Sequence, residues 1–301
     1  MAKKFAPLLI VLAGCMWGTI SLFVIYFDQM QITDNITKLF IRCFGAVLIL
    51  SIFVLFYNKS LFKFKLKDIW VFILNGVIGA FGFNALFYHN IATTSVNFAT
   101  VLLYTSPVWV TIISAIIFKE KVTPRKLGGL VLCVIGCAFV SGLIGGMSGF
   151  SVAGLLIGLG SGLGYGLYTI FTGVAIRKGY EALTINIWTF FFATIGCLIA
   201  GVRFGQLEHA ITVQPAFSLG YMVLYAAISS AIPFALYNIG LKYVEGGKAA
   251  IMAAVDPVVG TIGALILFGQ MPTVYAWIGM VLVIGALVIL NLPQRKKEIS
   301  L

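Results

Sequence analysis

The chain has 301 residues, of which 61% are hydrophobic and 10% are charged, and its mean hydropathy is +1.07. A water-soluble domain of this length needs charged residues to cover its surface, so this composition excludes a soluble protein and indicates a surface covered by lipid. The net charge of +11 does not indicate nucleic-acid binding, because the basic residues are scattered between apolar runs rather than gathered on one stripe.

Ten apolar segments are long enough to cross the bilayer as helices, since about 20 apolar residues span its hydrocarbon core. They are too long, and too apolar on every side, for the alternating strands of a membrane barrel. The first segment continues past the lipoprotein-like motif Leu12-Ala13-Gly14-Cys15, so a spanning helix is the simpler interpretation of this region. The predicted spans lie near residues 5–27, 36–57, 69–89, 95–118, 126–144, 150–176, 183–202, 218–241, 248–268 and 275–291.

The basic residues predict the orientation of these spans, because cytoplasmic loops are enriched in lysine and arginine. If the ten spans alternate, 17 of the 20 basic residues fall on one side of the membrane. Of the other three, Arg203 lies in an opposite loop, whereas Lys38 and Arg42 lie within the second span or at its rim. We therefore expect a multi-pass protein of the cell membrane with both termini in the cytoplasm.

The stretch from Leu86 to Gly129 repeats itself 150 residues later, from Leu236 to Gly279, without a gap. Two five-helix repeats are therefore predicted, at residues 1–147 and 148–301, in an all-α membrane protein. Because five is an odd number, the second repeat must enter the membrane from the opposite side, and inverted repeats are a transporter architecture. The superposed pairs are Leu86 and Leu236, Ala99 and Ala249, Pro107 and Pro257, Phe118 and Phe268, Thr123 and Thr273, and Gly129 and Gly279.

With Trp17-Gly18 in the first span, this repeated block resembles the ten-helix, EamA-type branch of the drug/metabolite transporter superfamily. The resemblance covers nearly the whole chain. It implies an exporter of small metabolites, often amino acids or other polar or amphipathic compounds. It also implies a central cavity lined by helices of both halves, with helices 5 and 10 at the periphery. Two departures from the family pattern are Gln270, which replaces the usual Glu, and Asp256, which directly precedes Pro257.

Asp256 is the first candidate for the transport site, because a carboxylate in mid-membrane costs about 2.5 to 3.5 kcal/mol. It lies eight residues after Lys248, which places it about 12 Å into the membrane. It could couple transport to protons or act as counter-ion to a cationic substrate; a structural ion pair or a backbone cap is the alternative. Arg42 is either its partner or a residue of the outer rim, and His89 is a further candidate for proton coupling or as counter-ion.

Pro107 and Pro257 are the predicted helix breaks. Each removes a helical hydrogen bond and leaves a carbonyl free one turn earlier, at Leu103 and Ala253. Interruptions at matching places in two halves point to a binding site, and packing kinks are the alternative.

Aromatic and amide side chains are the candidate substrate-binding residues, and together they would suit a flat, amphipathic solute. For each one singly, buried packing or a place in the interfacial aromatic belt is the alternative. Tyr237-Asn238 is the 150-residue counterpart of Phe87-Tyr88, which favours Tyr88 and Asn238. The candidates are Trp17, Asn84, Tyr88, Tyr104, Tyr165, Tyr168, Tyr237 and Asn238.

These features predict a secondary transporter that exports a small metabolite by alternating access. We expect no enzymatic activity, cofactor, metal or nucleic-acid partner, because the sequence has no Walker motif, no cysteine spacing for zinc and only two histidines. The expected partners are a small solute and membrane lipid, with protons as an open third. A lipid-acting membrane enzyme and a channel-like facilitator are the alternatives, and the sequence leaves monomer and homodimer equally open.

Overall fold

The computed structural model describes residues 2–142, 151–269 and 271–291, and these residues form helices and connecting turns without a strand. The repeat boundary predicted at 147/148, Gln270 and the chain's last ten residues lie outside this described part. The helices of the first half are α1 Ala2–Gly18, α2 Ile20–Gln29, α3 Asn35–Tyr57, α4 Ile69–Gly76, α5 Phe83–Thr93, α6 Val96–Leu103, α7 Ser106–Ile117 and α8 Pro124–Val140. Those of the second half are α9 Val152–Arg177, α10 Ala182–Ala200, α11 Phe204–Val213, α12 Pro215–Ala226, α13 Ile232–Leu241, α14 Gly246–Ala253, α15 Asp256–Phe268 and α16 Val274–Asn291.

Helices occupy each of the predicted spans within the described residues. Eight helical stretches are long and apolar enough to cross a membrane, and Val274–Leu290 is a shorter apolar helix. The protein is therefore an all-helical, multi-pass membrane protein. At 17 residues, α8 is also shorter than those eight stretches, so the count of ten spans stays a prediction. The apolar-run criterion missed α11, because that helix is only 10 residues long and carries Gln206, Glu208 and His209.

The helices break at matching places in the two halves. The third predicted span contains a π-helical segment at Val77–Gly82, and the eighth contains one at Ala227–Ala231, 150 residues later. The fourth and ninth spans are each split before a proline, between α6 and α7 and between α14 and α15, again with the 150-residue shift. The sequence repeat is therefore also a repeat of local backbone geometry.

Each half inserts a glycine of its first long helix against the broken helix of the other half. Gly14 of α1 lies so close to the main-chain carbonyl of Ala253 that a Cβ atom would collide with the oxygen. Gly162 of α9 lies in the same way against the carbonyl of Leu102. Small residues allow membrane helices to approach this closely, so the two halves interlock at their helix breaks.

Helices α8 and α16, the fifth and tenth predicted spans, pack along each other through Gly136 and Gly279. A Cβ added to Gly136 would lie 2.9 Å from the carbonyl oxygen of Gly279, and one added to Gly279 would lie 2.7 Å from the Cβ of Phe139. Neither helix contributes to the central cavity described below.

Candidate functional site

A cavity of about 470 Å³ lies between the two halves, within the size range of small-molecule sites. Its first-half walls come from α1, α2, α3, α5 and α6, and its second-half walls come from α9, α13 and α15. The lining residues are Trp17, Gly18, Ile20, Ser21, Asn35, Lys38, Arg42, Phe83, Asn84, Phe87, Tyr88, Ile91, Thr100, Leu103, Tyr104, Tyr165, Phe234, Asp256 and Pro257.

The cavity opens towards the face of the membrane at which the first span ends and the second begins. Ser21 and Asn35, which line it at that end, are exposed. At the other end lie Tyr104, Tyr165 and Asp256, which also line a much smaller space of about 10 Å³ beyond them. The main cavity is therefore a blind pocket, and these three residues form its floor.

Asp256 is the first residue of α15, immediately after the break that separates this helix from α14. The partial positive charge of a helix N-terminus favours a carboxylate at this place. The hydroxyl of Tyr104, from the other half, lies beside the carboxylate and interacts with it. Oδ1 of Asp256 is buried and has no hydrogen-bond partner among the described residues, so it is an open acceptor at the cavity wall.

Arg42 lies on the cavity wall contributed by α3, with only 6% of its surface exposed. Its Nε donates a hydrogen bond to Ser230 Oγ at 3.0 Å, and Tyr225 also interacts with the guanidinium. Both partners belong to the second half. Arg42 therefore sits inside the protein rather than at the outer rim, and it forms no ion pair with Asp256.

Aromatic rings cover the cavity wall around Trp17. Its ring centroid lies 4.8 Å from that of Phe234 and 6.4 Å from that of Tyr165, with the planes steeply inclined in both pairs. Tyr165 stacks in turn on Phe83, at 4.9 Å. Trp17 Nε1 is buried without a partner among the described residues. The wall around Trp17 is thus aromatic, and it carries the unpartnered indole N–H of Trp17.

Of the predicted binding residues, Trp17, Asn84, Tyr88, Tyr104 and Tyr165 line the main cavity. Tyr237 lines only the small space beyond the floor, where its hydroxyl forms a hydrogen bond of 2.8 Å with Thr169 Oγ1.

The remaining two predicted binding residues lie behind the wall. Tyr168 donates a hydrogen bond of 3.0 Å to the Oδ1 atom of Asn238, whose Nδ2 donates to Asn186. All three side chains are buried in this network, which packs helices of the second half together.

The two predicted helix-break prolines and His89 also differ in whether they line the cavity. Pro257 lines the cavity with Asp256, whereas Pro107 is buried outside it. His89 is exposed near the end of α5 and faces neither space.

A cluster of charged residues lies beyond the floor, where the cavity is closed. Lys126 Nζ is 2.9 Å from Glu120 Oε2 and 3.3 Å from Glu245 Oε2. Glu120 also accepts hydrogen bonds from the backbone N–H groups of Gly246 at 2.9 Å and Gly247 at 3.5 Å, at the start of α14. Lys126 and Glu120 are 4% and 9% exposed, so this cluster ties the first half to the second in a largely dry setting.

Sequence reasoning missed this cluster and several cavity residues. Lys38 and Arg42 are one helical turn apart, and this spacing could have placed both on one face of α3. Phe234 carried a weaker signal, as the 150-residue counterpart of Asn84. Ser230 carried none, because only the folded structure brings it to Arg42.

The model of the EamA-like transporter family matches residues 4–142 and again residues 152–292. The chain belongs to the EamA-like transporter family. Each of the two matches covers one of the halves that share the helix breaks.

Relatives of the EamA-like protein are named as transporters. An uncharacterized inner membrane transporter of Salmonella typhimurium is 23% identical and covers 96% of this chain, with 95% of its own length aligned. An uncharacterized transporter of Archaeoglobus fulgidus is 25% identical, with coverages of 95% and 96%. The threonine/homoserine exporter of Salmonella typhimurium is 26% identical, with coverages of 72% and 71%. The protein is thus a membrane transporter by family.

A solved crystal structure also resembles the EamA-like protein, with a TM-score of 0.76 over 96% of both chains. At 18% identity this likeness shows a shared fold.

Proposed function

We propose that the protein exports a small solute of the amino-acid type by alternating access around the central cavity. The observation that carries this proposal is the cavity itself, which is walled by both halves, lined by exposed residues at one end and bounded at the other by Tyr104, Tyr165 and Asp256. A carrier needs such a pocket, because the solute must be reachable from one side of the membrane at a time.

The size and chemistry of the cavity support the solute class. A volume of about 470 Å³ accommodates a small metabolite, and the wall combines aromatic rings with charged groups of both signs. The threonine/homoserine exporter, one of the relatives, is named for solutes of this class.

The Glu120–Lys126 cluster is the proposed gate of the closed face. Opening that face would require the Glu120 carboxylate to leave the N-terminus of α14, and closing the other face would require the wall helices around Ser21 and Asn35 to converge. Because the halves meet at their helix breaks, a rocking motion about Gly14 and Gly162 would serve both steps.

The direction of transport rests on the distribution of basic residues. They predict that Glu120 and Lys126 face the cytoplasm, so the open cavity would face outward. In an exporter, this outward-open form is the one that releases the solute.

Proton coupling is assigned to Asp256. Its carboxylate lies at the cavity floor with one open acceptor atom, where it can exchange a proton with whatever enters the pocket. His89 is not used in this proposal, since it is exposed away from the cavity.

Counterflow of labelled threonine, homoserine and other amino acids in vesicles reconstituted with the purified protein tests the proposal. A carrier gives saturable exchange that an excess of unlabelled solute on the opposite side accelerates. Unsaturated flux would favour the channel-like facilitator, and no flux for any amino acid would contradict the proposed solute class.

A pair of variants makes the test specific to the cavity. In Thr100→Trp, a bulky side chain is added at the cavity wall, and exchange should be lost. Gly220→Trp adds the same side chain at an exposed position of α12 with no atoms near the new Cβ, and exchange should persist. Equal loss in both variants would show that the assay reports folding rather than the cavity.

A further inference from the structure

We propose that the cavity binds its solute in one fixed orientation, with a cationic group of the solute at Asp256 and an anionic group at Arg42. This inference rests on the proposed function and adds to it the assignment of two oppositely charged subsites. Both residues line the same cavity, and neither neutralises the other.

The cationic subsite is built around Asp256. Its buried Oδ1 atom lacks a partner among the described residues, and its neighbour Tyr104 is a neutral hydroxyl. A buried acceptor of this kind costs free energy until a donor reaches it. An ammonium group supplies such a donor and the opposite charge, and the nearby rings of Trp17 and Tyr165 favour a cation as well.

The anionic subsite is built around Arg42. Ser230 accepts from Nε and thereby fixes the plane of the guanidinium, and Tyr225 interacts with the same group. A guanidinium held in this way matches the geometry of a carboxylate, which it binds through two parallel hydrogen bonds. Lys38 lies one turn earlier on the same wall and has an interaction of its own.

Tyr165 lies near both subsites. It lines the cavity with Asp256 and Arg42 and interacts electrostatically with each of them, and its ring is one of the aromatic surfaces of the cavity. A solute lying across this ring would meet one charge at each end. The arrangement therefore selects for zwitterions over solutes that carry only one of the two charges.

The absence of a direct ion pair between Asp256 and Arg42 supports this reading. Two buried ionisable groups that served only the fold would be expected to contact each other, because an ion pair offsets part of the desolvation cost of both. Here each is anchored to the opposite half of the protein instead, Asp256 beside Tyr104 and Arg42 on Ser230.

Three probes that share one apolar body test the assignment: phenylalanine, phenethylamine, which lacks the carboxylate, and 3-phenylpropanoate, which lacks the amine. Binding to the purified full-length protein is measured by thermal stabilisation over a concentration series. The wild type should bind phenylalanine most tightly. Loss of one charged contact should weaken binding by about 10- to 100-fold.

A variant at each subsite should affect recognition of only one of the two charged groups of the solute. Asp256→Asn should lose the preference for phenylalanine over 3-phenylpropanoate, while Arg42→Gln should lose the preference for phenylalanine over phenethylamine. Arg42→Lys keeps the charge and should recover part of the lost binding, which checks that the site has folded. Glu208→Gln and Lys63→Gln remove exposed charges that do not line the cavity and should bind all three probes as the wild type does.

Several outcomes would overturn the assignment. These are equal binding of the three probes by the wild type, the same loss for every probe in both cavity variants, and no binding of any probe. With each of these outcomes, saturable counterflow of another solute could still be observed. The fixed-orientation proposal can therefore fail while the proposed carrier function stands.

Discussion

Arg42 of the first half donates its Nε hydrogen to Ser230 of the second half at 3.0 Å, and Ser230 lies within the π-helical segment Ala227–Ala231. This contact crosses between the halves at the wall of the central cavity. Ser230 thereby fixes the plane of the buried guanidinium at the wall of the cavity.

Ser230→Ala should therefore weaken solute binding about 10-fold and leave the maximal exchange rate nearly unchanged, since the charge remains and only its orientation is lost. The measurement is the concentration dependence of counterflow. Ser229→Ala is the matched control, because the adjacent Ser229 hydroxyl is buried without a partner among the described residues. A similar change in both variants would contradict a specific role for the Arg42–Ser230 bond.

Glu120→Gln should make the closed face of the cavity easier to open. The change removes the nearer of the two carboxylates that pair with Lys126, and complete loss of such a buried pair, about 3 to 5 kcal/mol, is the upper limit of its cost because Glu245 remains. A cysteine introduced at Ser114, buried near Gly246, should then react faster with a maleimide applied from the Glu120 face, in a background without the five natural cysteines. Glu245 is 53% exposed, so Glu245→Gln should change the rate little. Unchanged labelling in Glu120→Gln would rule out the gate.

Gly14→Ala and Gly162→Ala should each destabilise the protein by about 1 to 3 kcal/mol, because the added methyl group would press on a main-chain carbonyl of the opposite half. Thermal unfolding in detergent measures the loss. The controls are Gly128→Ala and Gly285→Ala, where no atom lies within 4 Å of the new Cβ and alanine should be neutral or favourable in a helix. If all four variants unfold alike, the interlock does not stabilise the protein.

Asp256→Asn should abolish the acceleration of efflux by a pH gradient while exchange at saturating solute persists, since the amide cannot carry a proton between the two faces. Efflux from vesicles with and without the gradient gives the measurement, and Glu208→Gln serves as the control. Gradient-driven efflux in Asp256→Asn at the wild-type rate would remove Asp256 from proton coupling.

The predicted orientation can be read from single cysteines in the cysteine-free background. Cysteines at the exposed positions Lys63 and Lys121 should resist an impermeant maleimide added outside intact cells, whereas one at Glu208 should react. Labelling of the Lys63 or Lys121 positions from outside would contradict the inverted arrangement of the halves and the cytoplasmic placement of both termini.

The sequence repeat predicts some of the helix breaks and not others. Pro107 and Pro257 predict two interruptions 150 residues apart, and the backbone breaks just before each of them. The matching π-helical segments at Val77–Gly82 and Ala227–Ala231 could not be predicted, because neither contains a proline and their geometry depends on the helices packed around them.

The sequence by itself determined the class of protein, the positions of the apolar helices and the repeat, since these follow from composition, run length and register along the chain. Only the tertiary structure decided which candidates meet in the cavity. Helices that are apolar on every side do not reveal in their sequence which face turns to lipid and which turns inward. Close packing sets that rotation, and it brings Trp17, Arg42 and Asp256 to one pocket while it buries Tyr168 and Asn238 behind the wall.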